Sequence, residues 1–306
     1  MEKSVKTKDR STRNLQKVQR RWFFIFISPW VIGFICFQAG PIIASLVLSF
    51  TDYALLSPPS FVGAKNYITM ITVDPIFWKS LKVTMLYTAG SVPLGIVVGL
   101  SIAILLNQKI KGLALFRTIY YLPAVISGVA VALLWRWIYT PNVGLLNSML
   151  AKVGIEGPAW LFSETWALVA LIIMSIWGTG AGIIIYLAGL QGIPTGLYEV
   201  ALIDGANNWQ KFWHITLPMM SSVIFFMLIM GIIGSFQVFT FAYVMTGGGP
   251  NYATMFYGLY VYFSAFSYLK MGYAGALAWV LFLITLTSAA IIFKYIGGRV
   301  YYRGGA

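Results

Sequence analysis

The sequence predicts an all-α integral membrane protein with six transmembrane helices. Of its 306 residues, 59% are hydrophobic and only 9% are charged, whereas soluble domains carry about 25% charged residues. So few charged side chains cannot cover the surface of a water-soluble protein of this size, and lipid must cover much of it. The third observation is that the chain contains six long uncharged stretches.

Each stretch is near or above the ~18–20 residues that an α-helix needs to cross about 30 Å of hydrocarbon. Only helices and closed barrels satisfy their backbone polar groups in lipid, and these runs are too long and too uniformly apolar for barrel strands. The first run is also longer than the apolar region of a cleaved signal peptide, which has about 7–15 residues. The predicted spans are 22–50, 83–107, 118–135, 166–190, 217–245 and 271–293.

The region between residues 213 and 269 contains no formally charged residue and raises the question of a seventh span. The turn sequence at 246–251, which contains three glycines and a proline, breaks any helix there. The remaining stretch, 253–267, is short for a span and suits an interfacial or re-entrant segment.

The distribution of basic residues supports six spans with both termini in the cytoplasm. On this topology 15 of the 21 basic residues lie inside, eight of them in the first 21 positions, and six lie outside. This asymmetry obeys the positive-inside rule, and a seventh span would place the basic C-terminal residues outside.

Several function classes are excluded by what the sequence lacks. With a single cysteine, Cys36, and a single histidine, His214, neither an intramolecular disulfide nor a Cys/His metal cluster can form. The sequence has no G-x-x-x-x-G-K-[ST] phosphate loop. No paired-carboxylate or Ser/His constellation is present, and no acid or base lies in a predicted span interior. The net charge of +13 forms no basic stripe interleaved with aromatic residues, so we expect no nucleic-acid partner. We therefore predict a chain that is not an enzyme and holds no metal.

The predicted inner loop 191–218 is more than a linker, because it carries two helix-like pieces. We expect Thr195 to cap the first piece, with Glu199 in its first turn, and Gly205 to break the chain sharply. Asn207 or Asn208 would cap the second piece. The loop is either an amphipathic segment on the inner leaflet or a docking surface for another protein.

The loop sequence EVALIDGA at 199–206, followed by ITLP at 215–218, resembles the EAA loop of binding-protein-dependent ABC importer permeases. Its spacing matches the family pattern throughout, with Val200 replacing the usual alanine. The resemblance implies that this loop docks on an ATPase subunit. The implied docking residues are Glu199, Ala201, Asp204, Gly205, Ala206, Leu217 and Pro218.

A second match narrows the resemblance to the carbohydrate-uptake subgroup. The sequence VMTGGGP at 244–250, then Tyr260, Phe266 and GYAGAL at 272–277, is similar to the maltose- and lactose-type F subunit. The implied fold is the type I ABC importer transmembrane domain, in a bacterial or archaeal cell membrane. The implied function is import of a sugar, such as an oligosaccharide, by alternating access.

The resemblance also implies partners. A second homologous permease subunit would complete the pore, two ATPase subunits would bind ATP and Mg, and an extracytoplasmic solute-binding protein would deliver the sugar. No cofactor is expected on this chain itself. The implied organisation is a basic cytoplasmic tail (1–21), a first helix with an outer loop (22–79), a core permease domain (80–297, coupling loop 191–217) and a cytoplasmic tail (298–306).

Candidate sugar-binding residues lie in the fourth and fifth predicted spans, where the family contacts its substrate. Sugars prefer aromatic faces and uncharged hydrogen-bonding groups, although small residues in membrane helices also serve helix packing. The candidates are Trp177, Gly178, Gly231, Ser235, Gln237 and Phe239.

Three alternatives remain open at this point. The same machinery could carry glycerol phosphate or another polar solute, although no predicted span offers a central cation for a phosphate. An intramembrane enzyme or stand-alone carrier would need ionisable groups that the spans lack. A non-transporting scaffold would not need the pattern at 199–218.

Overall fold

The structure is a computed structural model that describes residues 2–108 and 111–301. Residues 302–306 of the predicted C-terminal tail lie outside the described residues. The helices are α1 (Glu2–Phe34), α2 (Gly40–Ser49), α3 (Lys65–Thr72), α4 (Pro75–Leu106), α5 (Leu113–Val125), α6 (Gly128–Ile138), α7 (Leu145–Lys152), α8 (Glu164–Trp177), α9 (Gly180–Gln191), α10 (Thr195–Ile203), α11 (Asn208–Lys211), α12 (Leu217–Met219), α13 (Ser221–Phe236), α14 (Thr240–Met245), α15 (Tyr257–Tyr262) and α16 (Met271–Ile296). Two short strands, β1 (Thr51–Asp52) and β2 (Ser60–Phe61), pair antiparallel.

Three segments are long and apolar enough to cross a membrane as single elements. The first is Gln16–Ser49, in which the π turn Ile35–Ala39 joins α1 to α2, and the others are α4 and α16. The apolar part of the first segment has no buried residues within this chain, whereas a third of that of α4 is buried.

Three further spans are bent pairs of helices. The bend is 101° between α5 and α6, 48° between α8 and α9, and 64° between Asn208–Met219 and α13. Six spans are therefore present when each bent pair counts as one. The sequence predicted helices at 118–135 and 217–245. The first of these bends because Ile126 and Ser127 adopt extended backbone, and the second is interrupted between Phe236 and Thr240.

Helix α4 lies at the centre of the bundle and packs against α8, α9, α13 and α15. The segment 253–267, predicted as interfacial or re-entrant, is not among the described segments that are long and apolar enough to cross a membrane. Most of it packs against α4 and α16, although Phe266 is 61% exposed. The segment is held in position by polar contacts. The backbone N–H of Tyr257 donates to Thr84 Oγ1 at 2.9 Å. The Tyr257 hydroxyl donates to the carbonyl oxygen of Leu277 at 3.0 Å.

Asp74 links the start of α4 to this buried segment. Its Oδ1 caps α4 by accepting from the N–H groups of Ile76 and Phe77 at 2.8 and 3.2 Å. Its Oδ2 accepts hydrogen bonds from the hydroxyls of Tyr260 and Tyr273. One carboxylate thus joins α4, α15 and α16 at one end of the bundle.

Candidate functional site

Residues 195–218, which we call the elbow, begin with a short helix. The backbone leaves the extended conformation at Pro194, and the Leu197 N–H closes the first turn on the Pro194 carbonyl oxygen at 3.2 Å. Thr195 was predicted to be the N-cap, which is wrong, because it is the first helical residue and Pro194 holds the cap position. Glu199 therefore lies in the second turn, where the helix dipole acts on it more weakly.

The break after α10 has the geometry of a Schellman motif. The Ala206 N–H donates to the Ala201 carbonyl oxygen at 2.9 Å, and the Gly205 N–H donates to that of Leu202 at 3.1 Å. Gly205 has a φ of +75°, in the left-handed region where glycine carries no steric penalty. The predicted sharp break at Gly205 is thus confirmed.

The second arm of the elbow starts with a reciprocal capping box. Asn207 Oδ1 accepts from the Gln210 N–H at 2.8 Å, and Gln210 Oε1 accepts from the Asn207 N–H at 2.8 Å. This confirms Asn207 as the cap of the second piece. A π turn, Phe212–Thr216, then leads into α12 and α13.

The two arms of the elbow are joined by side-chain hydroxyls. Tyr198 Oη on α10 lies 2.9 Å from Thr216 Oγ1 at the end of the π turn. Pro194, Ala201 and Ala206 are partly buried on the inner side of the elbow. The helical pair is therefore anchored to the bundle on one side and is open on the other.

The open side of the elbow combines apolar side chains with two carboxylates. Glu199, Asp204 and Gly205 are exposed, as is Pro218, while Leu217 is partly buried. The exposed apolar side chains of the elbow are Leu197, Val200, Leu202, Ile203, Trp209 and Trp213, of which Ile203 is 85% exposed. Large apolar side chains held in the open by caps and hydrogen bonds are typical of a protein-docking surface.

A second candidate site is a cavity of about 280 Å³ between α4, the α8–α9 pair and α13. None of the described residues that line it is charged. Five glycines line it, together with hydroxyl-bearing residues from all three spans. The hydroxyl-bearing residues are Tyr87, Ser91, Ser175, Thr179, Tyr186 and Ser235.

Two hydroxyls of this central cavity differ in their hydrogen bonding. Ser235 is buried, and its Oγ donates to the Ile232 carbonyl oxygen and lies 2.8 Å from Thr88 Oγ1. The Tyr186 hydroxyl is buried and has no hydrogen-bond partner in the described part of the chain. A buried hydroxyl without a partner costs free energy, so a guest in the cavity that accepts or donates a hydrogen bond would be favoured there.

Three of the six predicted sugar-binding residues line the cavity, namely Gly178, Gly231 and Ser235. The other three lie elsewhere. Trp177 packs edge-on against Trp135 with ring centroids 6.1 Å apart. Phe239 belongs to an aromatic cluster and stacks on Tyr243 at 5.5 Å.

The exposed Gln237 is the third, and it caps the C-terminus of α13. The predicted span 217–245 was a single helix that continues through residue 239. Because α13 ends at Phe236, Gln237 and Phe239 do not line the cavity with Gly231 and Ser235, although Val238 does.

Sequence reasoning missed the contribution of α4 to the cavity. Thr84, Thr88, Ser91 and Gly95 recur at spacings of three or four residues and thus lie on one face of a helix. This polar stripe in an otherwise apolar span was a readable signal. It places Ser91 and Gly95 on the cavity wall and Thr88 against Ser235.

The sequence model of the family described as binding-protein-dependent transport system inner membrane component matches residues 91–300. The chain belongs to this family. It is 45% identical to the probable ABC transporter permease protein YesP of Bacillus subtilis, over 91% of each chain. It is 32% identical to the trehalose/maltose transport system permease protein MalF of Thermococcus litoralis, over 92% of this chain and 96% of that protein.

A solved structure supports the fold assignment. The chain matches the crystal structure of a bacterial ABC transporter involved in the import of the acidic polysaccharide alginate, with a TM-score of 0.81 and 24% identity, over 93% of this chain and 98% of that one. The resemblance to type I ABC importer permeases is confirmed. Members of this family are transport components, so the chain is a membrane permease subunit and not an enzyme.

Proposed function

We propose that the chain is one of two permease subunits of an ATP-driven importer for a sugar, and that the elbow receives mechanical work from an ATPase subunit. The observation that carries this proposal is the elbow itself. Its two arms are rigidly capped, joined by Tyr198 and Thr216, and present exposed apolar and acidic side chains. A rigid apolar surface on a permease fits a partner that pushes on it.

The proposed assembly follows from the family. A second homologous permease completes the pore, two ATPase subunits bind ATP and Mg, and an extracytoplasmic solute-binding protein delivers the sugar. The family name itself describes transport that depends on a binding protein. With the elbow in the cytoplasm, the positive-inside rule places both termini there as well. The membrane is that of a bacterial or archaeal cell.

A sugar is the cargo that the central cavity fits best. Its lining of hydroxyls, glycines and apolar side chains matches a neutral polyol, and the trehalose/maltose permease is a relative over nearly the whole chain. A glycerol phosphate would favour a cation, and the described cavity lining supplies none. Alternating access would expose the cavity to one side of the membrane and then to the other.

The docking role of the elbow is tested by reversing one charge. We expect Glu199→Lys to leave the subunit in the membrane and in the assembled complex but to abolish ATPase stimulation by the sugar-loaded binding protein. The matched control is Lys294→Glu, which reverses an exposed charge outside the elbow, in the last turn of α16. Normal stimulation in Glu199→Lys would count against docking at the elbow.

The cargo role of the cavity is tested by filling it. A Cβ added at Gly234, which lines the cavity, would meet no atom within 4 Å, so Gly234→Leu can place a side chain in the cavity without a backbone clash. We expect sugar uptake to fall while complex assembly is kept. Gly33→Leu, at an equally open position on α1, is the control. Unchanged uptake in Gly234→Leu would exclude this cavity from the substrate path.

A further inference from the structure

Arg117 lies inside a helix that is part of the third span. The sequence placed it in an inner loop, but the structure places it in the second turn of α5. Its guanidinium reaches the end of α4, where Nη2 donates to the Leu106 carbonyl oxygen at 3.4 Å. Its Nε is buried and has no hydrogen-bond partner among the residues that the structure describes. The guanidinium is therefore partly withdrawn from water, and its buried Nε donor is unused.

The helices around Arg117 supply no negative charge. The sequence contains no acidic residue between Asp74 and Glu156, or between Glu164 and Glu199. Helices α4, α5 and α9 thus carry no carboxylate. A partly desolvated guanidinium without an anionic partner is costly, so the structure leaves room for an anion from outside the chain.

The space beside Arg117 is a groove of about 290 Å³ between α4, α5 and α9. One wall is aliphatic and includes Leu106, Ile184 and Leu187, and Ile184 is 52% exposed. The hydroxyl-bearing side chains of Thr118 and Tyr121 lie on the side of α5 and are exposed. An apolar groove with a single cation at one end fits a molecule that is apolar along its length and has an anionic headgroup.

The groove lies at membrane depth. A Cβ on Gly180, at the bend of the α8–α9 span, would collide with the Tyr120 carbonyl oxygen, so α5 contacts the middle of that span. Arg117 is one turn before Tyr120, towards Leu106 at the end of the α4 span. Arginine at this depth can reach the headgroup layer while its aliphatic stem stays in the apolar region.

We propose that this groove binds an anionic phospholipid, with the phosphate on the Arg117 guanidinium and an acyl chain along the wall of α4 and α9. Basic pockets between membrane helices are suited to anionic lipid headgroups. The apolar wall favours a lipid over a free phosphate ion, which would leave the wall without a partner. It also favours a lipid over a protein carboxylate, whose short side chain would not fill the groove.

The experiment is native mass spectrometry of the purified full-length chain with equal amounts of phosphatidylglycerol and phosphatidylcholine. We expect the wild-type chain to retain phosphatidylglycerol in preference. Arg117→Gln should lower the retained ratio of the two lipids about fivefold, the effect of removing one basic residue near a lipid surface. Arg117→Lys should keep most of the preference, because it keeps the charge.

Two further variants distinguish a specific lipid site in the groove from general electrostatic attraction of anionic lipid to the chain. Lys111→Gln removes an exposed cation six residues earlier, and we expect its lipid ratio to equal that of the wild type. Ile184→Trp fills the apolar wall and should lower retention of both lipids. If Arg117→Gln folds poorly, the proposal can still be tested with these two variants and with Arg117→Lys.

Four results would overturn the proposal. One is an unchanged lipid ratio in a folded Arg117→Gln chain, and another is an equal loss in Lys111→Gln. The third is displacement of phosphatidylglycerol by inorganic phosphate, which would identify a free-anion site. Loss of the bound lipid on assembly with the second permease subunit would instead assign a protein carboxylate as the occupant, and would also contradict the proposal.

Discussion

The hydroxyls of Tyr198 and Thr216 lie 2.9 Å apart and connect the two arms of the elbow. Tyr198 is on the short helix α10, and Thr216 ends the π turn that leads into the bent span of α12 and α13. Thr216 is buried and Tyr198 is partly buried, so water competes poorly for this contact. This hydrogen bond therefore connects α10 directly to the bent span that lines the central cavity, so that a force applied to α10 is transmitted to that span.

Removing this link should loosen the elbow without unfolding the bundle. We expect Tyr198→Phe to cost about 1 kcal/mol locally, the usual net value of one intramolecular hydrogen bond. Hydrogen exchange across residues 195–211 should become faster, while exchange in α4 stays unchanged. Thr195→Ala, at an exposed position whose side chain makes no cap bond, is the control. Exchange in Tyr198→Phe as slow as in the wild type would show that the pair does not hold the arms together.

Gly205 should tolerate asparagine better than alanine, because its φ of +75° is left-handed. The left-handed conformation costs an L-residue about 1–2 kcal/mol, and asparagine visits it more readily than other residues do. We expect Gly205→Ala to increase protease cleavage at the elbow and Gly205→Asn to do so less. Gly196→Ala is the matched control in α10, where φ is not positive and no atom lies within 4 Å of an added Cβ. Equal cleavage of the Ala variants at 196 and 205 would contradict the backbone argument.

The elbow could be read from the sequence because its determinants are local. Gly205 sets the break, Asn207 and Gln210 form the capping box, and each of these acts on residues within a few positions along the chain. The prediction of Thr195 as the N-cap was wrong, because Pro194, one position earlier, occupies the cap position of α10. Because the ends of a helix depend on nearby residues, the predicted cap position differed from the observed one by a single residue.

Only three of the six predicted sugar-binding residues line the central cavity. The lining depends on where helices end and on which helices pack together. The end of α13 at Phe236 removes Gln237 and Phe239 from the face of Ser235, and no residue in the sequence around it signals that end. The α4 wall is separated from Ser235 by 147 positions at the Thr88 contact. Such long-range pairing is not contained in any single window of sequence.

Asp74 should be essential for the stability of the end of the bundle that it joins. Asp74→Ala leaves two tyrosine hydroxyls and the first N–H groups of α4 without their acceptor. We expect a loss of roughly 3 kcal/mol, from the lost cap and the lost charge-assisted hydrogen bonds. The midpoint of thermal unfolding in detergent measures it.

Two variants calibrate the Asp74 result. Asp74→Asn keeps an acceptor oxygen for the helix cap or for one tyrosine, and its midpoint should lie between those of the wild type and Asp74→Ala. Asp52→Ala removes an exposed carboxylate on β1 and should leave the midpoint unchanged. A midpoint of Asp74→Ala equal to that of Asp52→Ala would show that the carboxylate does not tie α4 to α15 and α16.

Two buried tyrosines should respond in opposite ways to loss of their hydroxyl. The Tyr139 hydroxyl donates to the Ala170 carbonyl oxygen at 2.8 Å, whereas the Tyr186 hydroxyl has no partner among residues 2–108 and 111–301. We expect Tyr139→Phe to lower the free energy of unfolding by about 1 kcal/mol, and Tyr186→Phe to leave it unchanged or raise it, because an unsatisfied buried donor is removed. Thermal unfolding of both variants in the same detergent gives the comparison. If Tyr186→Phe were as destabilised as Tyr139→Phe, its hydroxyl would have a partner within the chain, and it would not be free to bind a guest in the central cavity.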